Sequence, residues 1–438
     1  MNNVLIIAYY FPPSGGPGVQ RVLKHVKYLP EFGWNPIVLT VENGQFPARD
    51  ESLLEKIPKS VQVYRTKIFE PYDIYRAFTG KSKDTAIDVN VINKEGTKLS
   101  SKDKLAEFIR ATFFIPDARI GWLFTAKQKA LDLIYKYNIR AVYSSSPPYT
   151  CSMIARYVKR STGIPWIAGL RDPWTDFLTT PNRWFLPAAI DRSMEKSCLT
   201  EANFVEAAWE GIIKDALGKY PDLPADKFIH IPNGYDSSDF PKVESGKNEK
   251  FTVTYTGSMY GRRNPHSFIK AVEFLLEQNK IDITKLHFRF IGRFGEEVHQ
   301  MIDNSKFRSN IEKIEYLPHS TSIEYLMKSD ALLLIVDESK ESEEIVPGKV
   351  YEYLGVQRPV ITVAPKDGAV AGLINSTKAG LVAHQSDIEG IADIYLDFYS
   401  KWINNKQITN PDMKLIQSYE RRNAAYELSK LLQKTIEF

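Results

Sequence analysis

The stretch Val4-Leu5-Ile6-Ile7-Ala8-Tyr9-Tyr10-Phe11-Pro12-Pro13-Ser14-Gly15-Gly16-Pro17-Gly18, continued by Val19, Val22, Leu23 and Val26, decides the reading of the fold. Its first five residues are short and apolar, as in a strand buried on both faces of a parallel sheet. A Pro/Gly loop follows. The i, i+3, i+4, i+7 spacing then predicts a helix from Val19 to about Leu29, stopped by Gly33. A second apolar run, Pro36–Val41, makes the unit strand–loop–helix–strand, the beginning of a doubly wound α/β sheet.

The same rhythm continues outward. Strands are predicted at Val61–Tyr64, Ala141–Ser144, Trp166–Gly169, Asn203–Glu206 and Phe228–Ile231, with helices at Lys127–Tyr137, Thr150–Thr162 and Ala188–Leu199. Residues Lys67–Leu123 break the alternation and read as an insertion mixing aromatics (Tyr72, Tyr75, Phe78, Phe113, Phe114) with lysines (Lys81, Lys83, Lys98, Lys102, Lys104), its 81–102 part expected to be mobile. Pro232–Lys250, rich in Pro, Gly, Ser, Asp and Lys, reads as a linker. A second series has strands at Phe251–Thr256, His287–Ile291, Lys313–Tyr316, Ala331–Val336, Val360–Val363 and Gly380–Ala383. Its helices are predicted at Ser267–Glu277, Ser322–Lys328, Gly348–Leu354 and Ile388–Trp402, and a last one at Tyr419–Thr435. Two Rossmann-like domains are therefore expected, 1–240 and 241–410, with residues 411–438 and their helical pattern following the second.

Composition narrows the function classes. The 438 residues suit two or three domains at roughly 150 residues each. With 57 Lys+Arg against 53 Asp+Glu, interspersed, the net charge of +4 gives no basic footprint for nucleic acid. No apolar run approaches the ~18 residues of a membrane span. The start lacks the basic-then-apolar pattern of a signal peptide. Cys151 and Cys198 sit in apolar surroundings and read as buried free thiols, which favours the cytoplasm.

Three stretches carry chemistry-bearing residues. In the first loop, Gly15 and Gly16 precede a helix whose positive end attracts anions. As a dinucleotide fingerprint the loop is poor, because Gly16-Pro17-Gly18-Val19-Gln20-Arg21 places Arg where the third Gly belongs. Glu42 after the second strand does imitate a ribose-binding acid, so a nicotinamide-dependent oxidoreductase stays open as an alternative. The second stretch is Glu344-Ile345-Val346-Pro347-Gly348-Lys349-Val350-Tyr351-Glu352. Two glutamates straddle a Pro-Gly turn at a helix start, with Gly348 and Lys349 placed for phosphate and Glu352 one turn further in for ribose hydroxyls. The third is Arg171-Asp172 after the strand at Trp166–Gly169. No Asp-x-Asp, His-x-His or P-loop pattern is present, and the seven histidines read as surface or satisfied core residues.

Those residues resemble glycosyltransferase family 4, the retaining nucleotide-sugar transferases of the GT-B fold. The resemblance covers nearly the whole chain. Besides the loops above it rests on Gly257 with Arg262-Arg263 opening the second domain, and on the terminal helix. Pro116-Asp117, Trp122, Ser144-Ser145-Ser146-Pro147-Pro148 and Arg171-Asp172-Pro173-Trp174 resemble a bacterial branch that builds surface polysaccharides. Where a typical member has Arg soon after the Gly and then Lys-Gly, this chain has Ser258 and Asn264-Pro265, so Arg263, with Arg262 second, is the expected diphosphate cation.

The resemblance implies two facing Rossmann-like domains with a C-terminal helix crossing back to the first. It implies a UDP-sugar or other nucleoside-diphosphate-sugar donor on the second domain and a saccharide or lipid-linked acceptor on the first, with no cofactor and no metal. Gly15, Gly16, Gly257, Arg262, Arg263, Pro347, Gly348, Lys349 and Glu352 would bind substrate; Arg171, Asp172 and Glu344 would contact the reacting sugars. A cytoplasmic enzyme resting on the inner membrane face is expected, with Lys24, Lys27 and the aromatic–basic segment Lys67–Phe114 as its contact. A catalytically silent sugar-binding scaffold is the other alternative.

Overall fold

The computed structural model describes residues 1–46, 48–69, 101–177, 180–243, 246–315, 317–337 and 346–437. The chain divides into two compact units, Met1–Asn233 with Arg421–Phe438, and Gly234–Glu420. The crossings thus lie at 233/234 and 420/421 instead of at 240/241 and 410/411. Tyr235 explains the earlier first crossing: it is buried in the second unit, stacked on Phe240 and packed against Gly355, so the expected linker is already part of that unit's core.

The first unit holds strands β1 (Asn2–Ala8), β2 (Trp34–Val41), β3 (Gln62–Thr66), β4 (Ala141–Ser146), β5 (Trp166–Leu170), β6 (Phe204–Ala207) and β7 (Phe228–His230). They form one parallel sheet in the order β3-β2-β1-β4-β5-β6-β7. β1 lies between β2 and β4, with Ile6 opposite both Val38 and Tyr143, and Val4–Ile7 are fully buried. That is why the strand reads as a continuous apolar run without alternation. The helices are α1 (Pro17–Tyr28), α2 (Ser101–Phe113), α3 (Leu123–Tyr137), α4 (Thr150–Thr162), α5 (Phe185–Glu201) and α6 (Glu210–Lys219).

The second unit repeats the order: β8 (Phe251–Thr256), β9 (Leu286–Ile291), β10 (Ile311–Ile314), β11 (Ala331–Ile335), β12 (Val360–Val363) and β13 (Gly380–Ala383) pair in parallel as β10-β9-β8-β11-β12-β13. Its helices are α7 (His266–Glu277), α8 (Glu296–Asp303), α9 (His319–Met327), α10 (Gly348–Gly355), α11 (Ala369–Thr377), α12 (Ile388–Ile403) and α13 (Met413–Ser418). Phe251, Phe268, Phe288, Tyr395 and Trp402 fill one face of the sheet; Val350, Tyr353, Leu354 and Ile374 fill the other.

The last helix, α14 (Arg421–Ile436), belongs to the first unit. Ala424, Leu428, Leu431 and Leu432 share a core with Val19, Val22, Leu23 and Val26 of α1. Burying each such leucine contributes about 1.5–3 kcal/mol. Both cysteines are free and buried, and burial pushes each thiol up to about 12.

Most strand boundaries follow the prediction within two residues. β10 starts two residues earlier than expected because its pairing is set by Phe288–Ile291 of the neighbouring strand. Helices α6, α8, α11 and α13 escape the sequence reading. They are short, ten residues or fewer, so each has too few turns for its apolar spacing to stand out in the sequence. Most of the expected mobile insertion, including Tyr72, Tyr75, Phe78, Lys81, Lys83 and Lys98, lies outside the described residues. Among the described residues no helix is long and apolar enough to cross a membrane.

Candidate functional site

Each sheet reverses strand order once, between β1 and β4 and between β8 and β11, and open α/β sheets bind ligands at the carboxyl ends of the strands there. In the second unit β8 runs into Gly257, whose φ of 116° suits only glycine. Its N–H donates to Ile291 O at 2.8 Å. Gly292, at φ 145°, follows β9, and a Cβ there would run into Gly257 O. Two glycines thus let the ends of β8 and β9 close on each other. The loop beyond is strapped to the β9–α8 turn by Met259 N–H to Arg293 O at 3.1 Å, Gly295 N–H to Met259 O at 3.0 Å and Gly261 N–H to Glu297 Oε1 at 2.9 Å.

Lys349 lies under that turn. Its Nζ donates to Tyr255 Oη at 2.9 Å and Thr256 O at 3.1 Å, and sits 4.0 Å from the centre of the Tyr255 ring. A Cβ on Gly257 would be 3.4 Å from this nitrogen. Burial, reinforced by the Arg263 guanidinium, holds the ammonium well below its ordinary pKa, while Glu352 pulls the other way. Arg263 reaches Asp337 Oδ1 at 3.3 Å; Arg262 is exposed. Pro347 precedes Gly348 at the start of α10, where backbone N–H groups lack helical partners and the helix dipole is positive. One turn in, Glu352 Oε1 meets His319 Nε2 at 2.7 Å.

The first unit gathers Arg171, Asp172 and the first loop. Arg171 Nη2 donates to Pro147 O, and the guanidinium lies 5.7 Å from the centre of the Tyr10 ring. A Cβ at Gly18 would meet Arg171 Nη1, so the guanidinium would have to move to make room. Burial pushes the Asp172 carboxyl above its ordinary pKa, and Arg171 opposes this. Tyr149 donates to Asp172 O at 3.2 Å and stacks on Trp174 at 4.5 Å. Asp117 braces the neighbouring helix start, accepting from Thr150 N–H at 2.9 Å and Thr150 Oγ1 at 2.8 Å. A cavity of about 390 Å³ lies just beyond, lined by Thr175, Phe177, Asn182, Arg183 and Asp191 among others.

The expected residues therefore fall into two groups: Gly257, Arg263, Pro347, Gly348, Lys349 and Glu352 around one switch point, and Gly15, Gly16, Arg171 and Asp172 around the other. Glu344 lies outside the described residues. The Gly15 N–H donates to Ala48 O at 2.9 Å. Sequence reasoning passed over Asp337, Gly292 and His319. The first two lie in turns with no motif, and His319 is a lone histidine whose partner is distant in the chain.

Arg21, at the third-glycine position, is buried and paired with Glu206. It also donates to Ile231 O at 2.6 Å and to Pro232 O and Asn233 Oδ1, both at 3.1 Å. A side chain of that size stands where a dinucleotide fold needs close helix–strand approach. This counts against the nicotinamide alternative.

Residues 236–411 match the family model described as glycosyl transferases group 1. The match spans the second unit's strands and the whole Gly257–Lys349–Glu352 cluster. No curated protein matches in sequence. Among solved structures, Anabaena Alr3699/HepE in complex with UDP and glucose is similar at 12% identity, covering 98% of this chain and 99% of that one, TM-score 0.62. Sucrose-phosphate synthase from Thermosynechococcus elongatus gives 11% identity, 99% of both chains and TM-score 0.62. WaaG, a glycosyltransferase involved in lipopolysaccharide biosynthesis, gives 13%, 98% and 99%, and 0.57. At these identities the likeness is one of fold: the chain has the α/β GT-B fold.

Proposed function

We propose that the chain is a retaining glycosyltransferase of family 4 that moves a sugar from a nucleoside-diphosphate sugar, a UDP-sugar foremost, to a saccharide or lipid-linked saccharide acceptor in cell-surface polysaccharide synthesis. The observation that carries the reading is the cluster of Gly257, Arg263, Lys349 and Glu352 at the second switch point, inside the group 1 match. A glycine turn, a helix N-terminus and an arginine fork suit a diphosphate. A carboxylate one turn into the helix suits a ribose diol.

In this reading Arg263, Lys349 and the Gly348 N–H stabilise the departing diphosphate, which takes the acceptor proton, so no protein-bound metal is needed. Glu344 contacts the donor sugar. Arg171 and Asp172, from the first unit, contact the transferred sugar or acceptor. The rate gain comes from holding the reactants together and stabilising departing charge. A thermal-shift screen of UDP, GDP, ADP and TDP tests the reading, because a ligand of the folded state raises stability by RT ln(1 + [L]/Kd). Glu352→Ala should weaken the selected nucleotide by about 1–3 kcal/mol. Unchanged affinity in a folded variant would overturn the donor site. Nucleotide binding without sugar release would favour the silent scaffold.

The peripheral-membrane expectation narrows to the end of its aromatic–basic segment and gains the start of α5. Lys24 is buried, so it offers nothing to a surface. Phe108 and Phe113 of α2 are exposed, as are Trp184, Phe185 and Leu186 at the start of α5, with Phe185 84% accessible. Trp184 Nε1 donates to Thr112 Oγ1 at 3.0 Å, and Arg183 ties α5 to Ala111 O, Phe114 O and Pro116 O. Large aromatic and aliphatic groups at a helix tip are suited to a bilayer interface. Flotation with anionic vesicles should recover the protein, and Phe185→Ser with Phe113→Ser should abolish recovery without lowering Tm.

A further inference from the structure

The loop after β10 brings one side chain to the donor cluster that sequence reasoning gives no role. His319 is the first residue of α9, and its Nε2 lies 2.7 Å from Glu352 Oε1. Each side chain is about a quarter exposed, His319 at 25% and Glu352 at 28%, so the pair forms a wall open on one side. Lys349, the nearby cation on the same helix, is committed to Tyr255 and Thr256 and makes no ion pair with Glu352 among the described residues. The imidazole is therefore the bonded partner that fixes the direction of the Glu352 carboxylate, and Oε2 keeps its capacity to accept.

We propose that His319 is a positioning residue for the donor site: it holds Glu352 in the rotamer that presents Oε2 to a ribose hydroxyl of the nucleotide. This rests on the reading of Glu352 as the ribose-binding acid. A glutamate side chain has several rotamers, and freezing one before the ligand arrives removes an ordering cost from binding. The imidazole Nε2 is at the right distance for a hydrogen bond that lasts through ligand entry. The bond also joins two strand ends, those of β10 and β11, whose loops precede the two residues. His319 thus acts through Glu352 and not by touching the nucleotide phosphates.

The test uses the full chain and whichever of UDP, GDP and ADP raises the wild-type Tm most, alongside its 2′,3′-dideoxy analogue. His319→Ala should weaken the natural nucleotide about five- to tenfold, the effect of one lost hydrogen bond. The dideoxy analogue, which offers Glu352 no hydroxyl, should lose less than about twofold by the same principle. Gln sets its amide where Nε2 stands and Asn does not, so His319→Gln should recover most of the affinity and His319→Asn should behave like His319→Ala. In a Glu352→Ala background the His319 substitution should add nothing.

Equal losses for both nucleotides, or no recovery with Gln, would overturn the positioning role. So would a His319→Ala variant that binds as wild type while Glu352→Ala binds weakly. A Glu352→Ala variant that binds as wild type would instead overturn the donor-site reading on which the proposal rests. Should His319→Ala fail to fold, the Gln and Asn pair gives the same contrast.

Discussion

The two units share one strand order, yet they set their switch-point loops by different means. In the second, backbone does the work: Gly257 and Gly292 remove the steric bulk that would keep β8 and β9 apart, and a buried lysine fits beneath the turn. In the first, a buried charge network anchors α1, the helix that follows the loop. Arg21 reaches from α1 through the core to Glu206 and to Ile231–Asn233, where the chain leaves the first unit, and sits with Arg421 on the same Asn233 side chain. Tyr143 Oη completes the group by donating to Glu206 Oε2 at 2.9 Å. A loop set by absent side chains tolerates little added volume. A helix anchored by a buried ion pair tolerates little change in charge.

The sharpest way to break this comparison is to remove one charge. Arg21→Met should cost the first unit about 3–5 kcal/mol, because Glu206 is left buried without its counter-ion. Adding Glu206→Gln, which keeps an acceptor for Tyr143 and removes the orphan charge, should recover a good part of that loss. Denaturant unfolding of the full chain checks both. An Arg21→Met protein as stable as wild type would mean that the pair is not what holds α1 to the sheet.

The same contrast explains what could be read from the sequence. Gly257, the Pro347-Gly348-Lys349 turn and Glu352 lie near strand ends in a local pattern, and local patterns are visible in a linear string. So were the buried strands, whose apolar runs need no partner to be recognised. Arg21 and Glu206 are 185 positions apart, and nothing in either neighbourhood announces the other. Arg21 reads only as a fault in a dinucleotide fingerprint. His319 and Glu352 are hidden for the same reason. The bond from the Gly15 N–H to Ala48 O is hidden too, because the fold-back of Ala48 onto the loop is tertiary.

A second way to sharpen the comparison adds volume where glycine is needed. Gly292→Ala forces a residue with a Cβ into φ 145° and drives that carbon into Gly257 O. Strain of this kind costs about 1–3 kcal/mol. Both backbones must shift to relieve it, so the turn over Lys349 should shift with them. The expected result is a lower Tm together with weaker nucleotide binding. Gly18→Ala in the first unit is the matched control. It displaces the Arg171 guanidinium, a side chain that can swing away, so its cost in stability should be smaller. Equal losses in the two variants would erase the distinction between a loop set by backbone and one set by side chains.

The smallest expected effect concerns His25, four residues along α1 from Arg21. It is fully buried against Tyr143 at 5.9 Å, and neither ring nitrogen has a hydrogen-bond partner among the described residues. Burial first, then the nearby Arg21 and Arg421 charges, hold its pKa well below the ordinary 6.5, so the folded unit keeps it neutral. In the unfolded chain the same imidazole takes up a proton as the pH falls through about 6.5. The unfolded state then binds more protons than the folded one, so the stability associated with a neutral His25 is present above that pH and is lost below it. The loss reaches at most about 1.4 kcal/mol per pH unit for one proton. Replacing His25 with Phe removes the titrating group and keeps an aromatic ring in the same space. The stability difference between wild type and His25→Phe should therefore drift in favour of the variant between pH 7.5 and 5.5. His230 and His287, also held low by burial, remain in both proteins and cancel. A pH-independent difference would show that His25 already finds a proton in the folded state, and that the charge network of the first unit is less closed to solvent than its burial implies.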